Sequence, residues 1–383
     1  MTGIESQRIA IVGAGPGGLT LARILHLHGA HTAVFEREEF SSVRPQGGSL
    51  DMHPESGQYA IECAGLTAEF KRIARYEDQE SRIYDKHGKL LFVDTDTSSG
   101  NRPEVDRGHL RQMLLDSLPS DLIRWGHKLS DARPNDDGTF ELLFTNGVSE
   151  RFDLVVGADG AWSRIRPLVS KAQPIYSGVT FFELGFDDVD AKYPEIAEII
   201  GHGLTFAVGD SKALIGHRDA NAHVGIHAAL RVSEDWIQAG GLDMSSNESA
   251  KASLAVHFSG WSEDLLQFIS RYEGTLIPRP IHALPVGHRW EHRPGITLLG
   301  DAAHLMSPFG GDGANLAMWD AADLAFTLVR EEDWKAALHG YEAVISARAE
   351  ESAVGARDAI NETFSEDGLS HILRQMEGHR SHD

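Results

Sequence analysis

RIAIVGAGPGGLTLARILHLHGAHTAVFER, residues 8 to 37, decides how the whole chain reads. Ile9, Ala10, Ile11 and Val12 form a near-continuous apolar run bounded by glycine, the pattern of a short buried strand. Gly13, Gly15 and Gly18 follow in G-x-G-x-x-G spacing. The first permits a tight turn, the second lets a pyrophosphate approach the backbone, and the third lets helix and strand pack closely. Residues 19 to 27 read as a helix whose N-terminal N–H groups face that pyrophosphate. A second strand over 32 to 35 ends in Glu36, about 20 residues beyond the glycines, where a carboxylate accepts hydrogen bonds from a ribose. Strand, turn, helix, strand and acid occur in order, which is more specific than the glycines alone.

Two later stretches repeat this grammar. Residues 154 to 156 are an apolar strand ending at GADGAWSRIR, residues 157 to 166, which puts Asp159 where open α/β sheets bind ligands; a charged turn is the plainer reading. Residues 296 to 299 are another apolar strand, followed by GDAAHLMSPFGGDGAN, residues 300 to 315. Here Asp301 ends the strand, residues 308 to 313 form a glycine-rich loop, and a helix over 315 to 329 begins. Its N-terminus suits a phosphate, a carbonyl or a developing negative charge. Three strand ends of one kind are expected to meet at one ligand.

Between them the texture changes. Residues 81–84 and 89–93 read as a hairpin, and residues 103–118, after the first few, as a helix carrying Arg107 and Arg111 on one face. Residues 140–144 and 151–152 flank an Asn146-Gly147 turn, a second hairpin. From 174 to 280, strands at 179–186, 204–208, 213–216 and 224–232 lack strand–helix alternation and suggest a second, mostly antiparallel sheet. One face is expected to turn Glu183, Phe206, His217 and His223 towards a partner domain, although any single histidine is more often an ordinary packed residue. Helices are expected at 262–272 and 334–350, with the tail after 376 frayed. The segment after Glu36, with Arg44, Gln46, Gly47 and Gly48, is a loop that either covers the ligand or is a surface excursion.

Composition narrows the class. The 383 residues carry 57 acidic and 35 basic side chains, a net charge of −22, which argues against a nucleic-acid or anionic-membrane surface. The single cysteine, Cys63, excludes an intramolecular disulfide, and the 20 histidines form no metal motif, so no metal is expected. The N-terminal residues show no apolar signal segment and no stretch has the length of a membrane span, so a cytoplasmic protein is expected. Nothing ranks oligomeric states; a monomer is the working expectation.

Together the three motifs resemble the single-component flavin-dependent aromatic hydroxylases, the family of p-hydroxybenzoate hydroxylase, and within it the tetracycline-inactivating monooxygenases. Gly13, Gly15, Gly18 and Glu36 match the FAD-binding opening, with Arg37 beside it. Asp159, Gly160, Ser163 and Arg166 match the D-G-x-x-S-x-x-R motif; Gly300, Asp301, His304, Pro308, Gly311, Gly313 and Asn315 match the GD motif and its loop. The resemblance implies an α/β fold: a Rossmann-like FAD-binding domain (1–75, 101–175 and 281–330), a mostly antiparallel substrate domain (76–100 and 176–280) and a C-terminal helical segment (331–375). It implies non-covalent FAD held by these residues with Arg44, Arg107, Arg111 and Ala314. Asp301, Pro308, Gly311 and Gly313 would position the flavin chemistry. Glu183, Lys212, His223, Phe206, Pro308 and Gly311 would face substrate.

The implied reaction is reduction of FAD by NADPH or NADH and addition of oxygen to give a C4a-hydroperoxide. One oxygen atom then passes to a tetracycline-like polycyclic phenol or enol, without nucleic-acid or membrane partners. Another phenolic or polyketide substrate, or a non-catalytic flavin-binding protein, are the alternatives. Three positions depart from the pattern: Glu183 stands for an amide, Lys212 for an arginine, and Asp312 for a glutamine. An acid at 312, beside the isoalloxazine, would either alter the flavin potential or demand a cationic neighbour.

Overall fold

The computed structural model describes residues 3–41, 48–76, 79–95 and 101–380; Arg44, Gln46 and Gly47 lie outside the described residues. The sheet that the opening motif starts is five-stranded, in the order Ile296–Leu298, Leu154–Gly157, Arg8–Val12, His31–Phe35, Ile123–Arg124, and every pair is parallel. Its central strands are apolar throughout because both faces are covered. Val12 pairs with Gly157 on one side and Phe35 on the other, and Gly157 pairs with Leu298. The carboxyl ends of the three glycine-bearing strands therefore lie side by side. The helices Pro16–Leu27 and Gly313–Arg330 pack on this sheet through Leu19, Leu21, Ile24, Met318, Ala321 and Leu324, all fully buried.

The second sheet has seven strands in the order Ile277–Ala283, Ile175–Phe186, Val224–Arg231, Lys212–Arg218, Gly203–Gly209, Glu80–Asp85, Leu90–Asp94. All pairs are antiparallel except Gly203–Gly209 with Glu80–Asp85. The fold is thus a Rossmann-like α/β part joined to a mostly antiparallel sheet with C-terminal helices, as the motifs imply. One sheet face buries Phe182, Leu184, Phe186, Ile226 and Leu214 against the helices Pro194–Ile200, Asn247–His257 and Glu263–Ser270. Ser262 caps the last of these by accepting the Leu265 N–H.

The opposite face is shared. At one end Phe181, Val208, Ala213 and Ala229 pack against Ile360, Phe364 and Ile372 from the C-terminal helices. At the other end it is open towards the parallel sheet. Expectation and structure differ here: the helix beginning at Trp334 runs on to Thr363, and a further helix spans Gly368–Arg380. Nothing after residue 350 breaks a helix, since the run to Thr363 contains no proline and a single Gly355. As expected of 103–118, the helix starts only after the first residues: a short strand, Glu104–Asp106, leads into the helix Arg107–Asp116. No helix among the described residues is long and apolar enough to cross a membrane.

Candidate active site

The three glycines of the opening have three different environments. A Cβ on Gly13 would lie 2.2 Å from the Ala158 carbonyl oxygen, and one on Gly18 would lie 2.1 Å from the Gly13 carbonyl oxygen. Neither can be accommodated, so both positions serve the packing of turn, helix and neighbouring strand. A Cβ on Gly15 would meet nothing within 4 Å. Gly15 precedes the helix Pro16–Leu27 as its N-cap without any side-chain cap. Open space beside uncapped helix N–H groups is what an anionic ligand requires.

Glu36 and Arg111 hold residue 14 from both sides. Glu36 Oε2 accepts the Ala14 N–H at 2.9 Å and Oε1 accepts the Glu38 N–H at 3.1 Å. Arg111, almost fully buried, donates to the Ala14 carbonyl at 3.0 Å and the Ser41 carbonyl at 3.3 Å, and pairs with Glu38 at 2.9 Å. The sequence places Arg111 among the cofactor contacts; in the structure its Nε, Nη1 and Nη2 each meet a protein acceptor, and it braces the loop that carries them. Arg37 is exposed beside Glu36.

Arg107 behaves differently. It opens the helix Arg107–Asp116, is reached by solvent through the cleft, and its guanidinium makes no hydrogen bond or ion pair among the described residues. The surrounding cleft walls pull its pKa down by desolvation, against the attraction of Asp301 and Asp219. Asp301 follows Gly300 at the end of Ile296–Leu298 and also faces the cleft; desolvation raises its pKa, opposed by His304, Arg107 and Arg166. Asp159 Oδ2 accepts the Arg164 N–H at 2.6 Å, while its buried Oδ1 has no partner. Arg166 ties the two turns together by donating to the carbonyls of Ala161 at 2.7 Å and Ala302 at 3.1 Å. Behind Asp301, the buried Asp320 accepts from the Gly300 N–H, pairs with His304 at 2.5 Å and with Arg348 at 2.8 Å, and so fixes the GD turn.

The loop Pro308–Gly310 continues through Gly311, with φ of +71°, to Asp312 and the helix that starts at Gly313. Asn315 is buried and spans to another segment: its Oδ1 accepts the His53 N–H at 3.0 Å and its Nδ2 donates to the Asp51 carbonyl at 2.8 Å. Pro308 and Gly311 are exposed at the cleft end of this helix.

Across the cleft, pairing register decides which substrate candidates share a face. Glu183 lies opposite His227, His227 opposite Ile215, and Ile215 opposite Phe206, so these four side chains form one row on the open face. Glu183 pairs with Arg279 at 3.0 Å, and the His227 ring packs on Phe181 at 5.1 Å. Burial pushes the His227 pKa below the usual imidazole value; Arg107 and His217 reinforce this, and Glu183 and Asp219 oppose it. His217 is on the same face. Burial opposes its charge, but hydrogen bonds to Asp219 and Glu104 prevail and its pKa is pushed up to about 10.

Two expected substrate residues sit elsewhere. Lys212 pairs with Leu230, whose side chain is in the helix-covered core, so it belongs to the other face of the sheet. His223 is at the rim: its ring lies over Gly185, 3.1 Å from where a Cβ would be, and its Nδ1 meets exposed Asp187 at 2.7 Å. His227, Arg279, Asp219 and Glu104 were missed. In VGIHAAL, residues 224 to 230, His227 is the polar residue out of phase with Val224, Ile226 and Ala228, a signal legible in the alternation. Among the described residues, one His and carboxylate group brings potential ligand atoms within 4.8 Å, that of His292, His339 and Glu342. Both Glu342 oxygens are already engaged, by His292 at 2.8 Å and Thr297 at 2.9 Å.

The open Gly15 cradle, the orphaned Asp159 oxygen and the unpaired Arg107 guanidinium fit a dinucleotide laid across the three strand ends. A family profile described as FAD binding domain matches residues 6–207 and 285–353. Monooxygenase asqM of Emericella nidulans is 37% identical over 84% of each chain, and monooxygenase penA of Penicillium thymicola is 32% identical over 98% of this chain and the full length of its own. Klebsiella pneumoniae HpxO, solved with FAD and uric acid, has a TM-score of 0.81 at 24% identity, covering 98% of this chain and 93% of its own. The tetracycline destructase Tet(55) has a TM-score of 0.75 at 22% identity, covering 99% and 96%; at these identities both share the fold. The chain therefore belongs to the FAD-binding domain family and is an FAD-dependent monooxygenase with the p-hydroxybenzoate hydroxylase fold.

Proposed function

We propose that the enzyme uses NADPH or NADH to insert one oxygen atom of O2 into a small aromatic or polycyclic metabolite that carries an ionisable phenol or enol. The observation that carries this reading is the open sheet face. Phe206 and Ile215 offer apolar contact, and the Glu183–Arg279 pair, His227 and charged His217 offer polar contacts along it. Uric acid, the ligand in the HpxO structure, is a flat ring system of this chemical class. Bound FAD would supply electron transfer from the nicotinamide to oxygen.

In this reading Gly13, Gly15 and Gly18 form the pyrophosphate turn, and Glu36, with Arg37 beside it, meets the adenosine ribose. Arg107 meets the phosphates or ribityl chain, with Asp159 and Asp301 alongside. Gly313, Ala314 and Asn315 bear on the isoalloxazine, whose face Pro308 and Gly311 shape. His227, uncharged near neutral pH, accepts or relays the substrate hydroxyl proton, and His223 guards the rim. The domain division at 1–75, 101–175 and 281–330 against 76–100 and 176–280, with 331–375 bridging, and a cytoplasmic location belong to the same reading.

Tetracycline is its narrower form. The GDAAHLMSPFGGDGAN run favours it, whereas Glu183 bound to Arg279 and Lys212 on the far face do not. The test supplies FAD-loaded enzyme, NADPH and air with tetracycline, urate and a panel of hydroxylated bicyclic aromatics, and reads product masses and the ratio of NADPH used to product formed. A product heavier by one oxygen from a bicyclic phenol supports the proposal; from tetracycline alone, it establishes the narrower form. A flavin that NADPH and NADH both fail to reduce, with or without these compounds, refutes it.

A further inference from the structure

Three polar side chains on the open sheet face keep hydrogen-bonding capacity that the protein does not use. Glu183 and Arg279 meet as an ion pair at 3.0 Å, both side chains stay close to half exposed, and among the described residues neither makes a hydrogen bond. His227 lies directly opposite Glu183 on the neighbouring strand, and its half-buried ring makes none either. Beside this group the face is bare. Gly185 pairs with Gly225 two residues along the same strands, and a Cβ on Gly225 would meet nothing nearer than Asp219 Oδ2, at 3.6 Å. A flat ring can therefore lie close to the sheet backbone here, with Ile215 and Phe206 next in the row beyond His227.

The pair sums to no net charge. A ligand carboxylate drawn to Arg279 would be repelled by Glu183, and an ammonium drawn to Glu183 would be repelled by Arg279. The edge that satisfies both is neutral and sets a donor beside an acceptor, because ionised Glu183 only accepts and Arg279 only donates. An open-chain amide is trans and points its N–H and C=O in opposite directions. An amide closed into a ring holds them coplanar and on one side. We propose that Glu183 and Arg279 select substrates whose flat ring contains an amide, the N–H donating to Glu183 and the C=O accepting from Arg279, with an ionisable hydroxyl of the same ring turned to His227. The proposal rests on the reading of this face as the substrate site and narrows it from aromatic metabolites in general to hydroxylated cyclic amides.

The test measures binding of three ring analogues to the FAD-loaded enzyme, read as the change each produces in the flavin absorbance spectrum. They are 4-hydroxy-2-quinolinone, its N-methyl derivative, and 4-hydroxycoumarin, in which a ring oxygen replaces the N–H. The first is expected to bind about tenfold more tightly than the other two, the worth of one hydrogen bond to a charged group. Glu183→Ala is expected to erase that difference, and Arg279→Ala to weaken all three while preserving it. Equal binding of the three by the parent enzyme, or a preference that persists in Glu183→Ala, overturns the proposal. A product heavier by one oxygen from 1-naphthol, together with equal binding of the three analogues, would overturn the cyclic amide and keep the face as an aromatic site. Failure of all four compounds to perturb the flavin or to raise NADPH consumption would remove both.

Discussion

Replacing the three glycines of the opening one at a time by alanine should separate two roles that one motif combines. In Gly18→Ala the new carbon would sit 2.1 Å from the Gly13 carbonyl oxygen. A carbon–oxygen contact needs about 3.3 Å, so backbone must yield by more than an ångström where helix meets strand. The expected cost is about 3 kcal/mol of folding stability. Gly13→Ala meets the Ala158 carbonyl oxygen at 2.2 Å and adds a φ of +114°, so it should cost at least as much. Gly15→Ala meets nothing, and its φ of −82° suits any residue, so unliganded stability should change by less than about 1 kcal/mol. The same methyl occupies the path of a phosphate towards the backbone. Losing one or two charge-assisted hydrogen bonds, about 1.5–3 kcal/mol each, should weaken FAD by at least about tenfold. Urea unfolding of the apoproteins and FAD titration followed by flavin fluorescence read the two quantities separately. A Gly15→Ala protein that binds FAD like the parent would refute the placement of the pyrophosphate, and a fully stable Gly18→Ala protein would refute the packing argument.

Two further outcomes follow from the tertiary contacts. His217 has a folded pKa of about 10 against an ordinary 6.5, so its pairing with Glu104 and Asp219 stabilises the protein fully below about pH 6.5 and is lost as pH rises towards 10. Melting temperatures recorded from pH 6 to 10 should fall more steeply in the parent than in His217→Gln, and parallel curves would contradict the assignment. Phe364 is fully buried between the covered end of the seven-stranded sheet and Phe309, whose ring lies 5.6 Å away edge-on, so Phe364→Ala should cost about 3–5 kcal/mol in urea unfolding. A loss below about 1 kcal/mol would mean that the C-terminal helix does not brace the glycine loop.

The strand–glycine motifs were legible because each is local: an apolar run, a tight turn and a helix start are fixed by residues adjacent in sequence. Their meeting at one place also followed, since parallel strands of one sheet end on one side. What no stretch of sequence contained was the partner of each strand. Alternation says that Lys212 and His217 lie on opposite faces of their strand, but which face looks into the cleft depends on pairing with residues far along the chain, and that register put His227 beside Glu183 and Lys212 behind the sheet. The same limit applies to charge. Sequence put an acid at 312 and a basic pair, Arg107 and Arg111, on one helix. Only the folded chain, through Asn315's grip on residues 51 and 53, brought His53 to Asp312 and left Arg111 bound to the Ala14 carbonyl. Local physics wrote the motifs, and long-range packing decided which side chains face each other across the site.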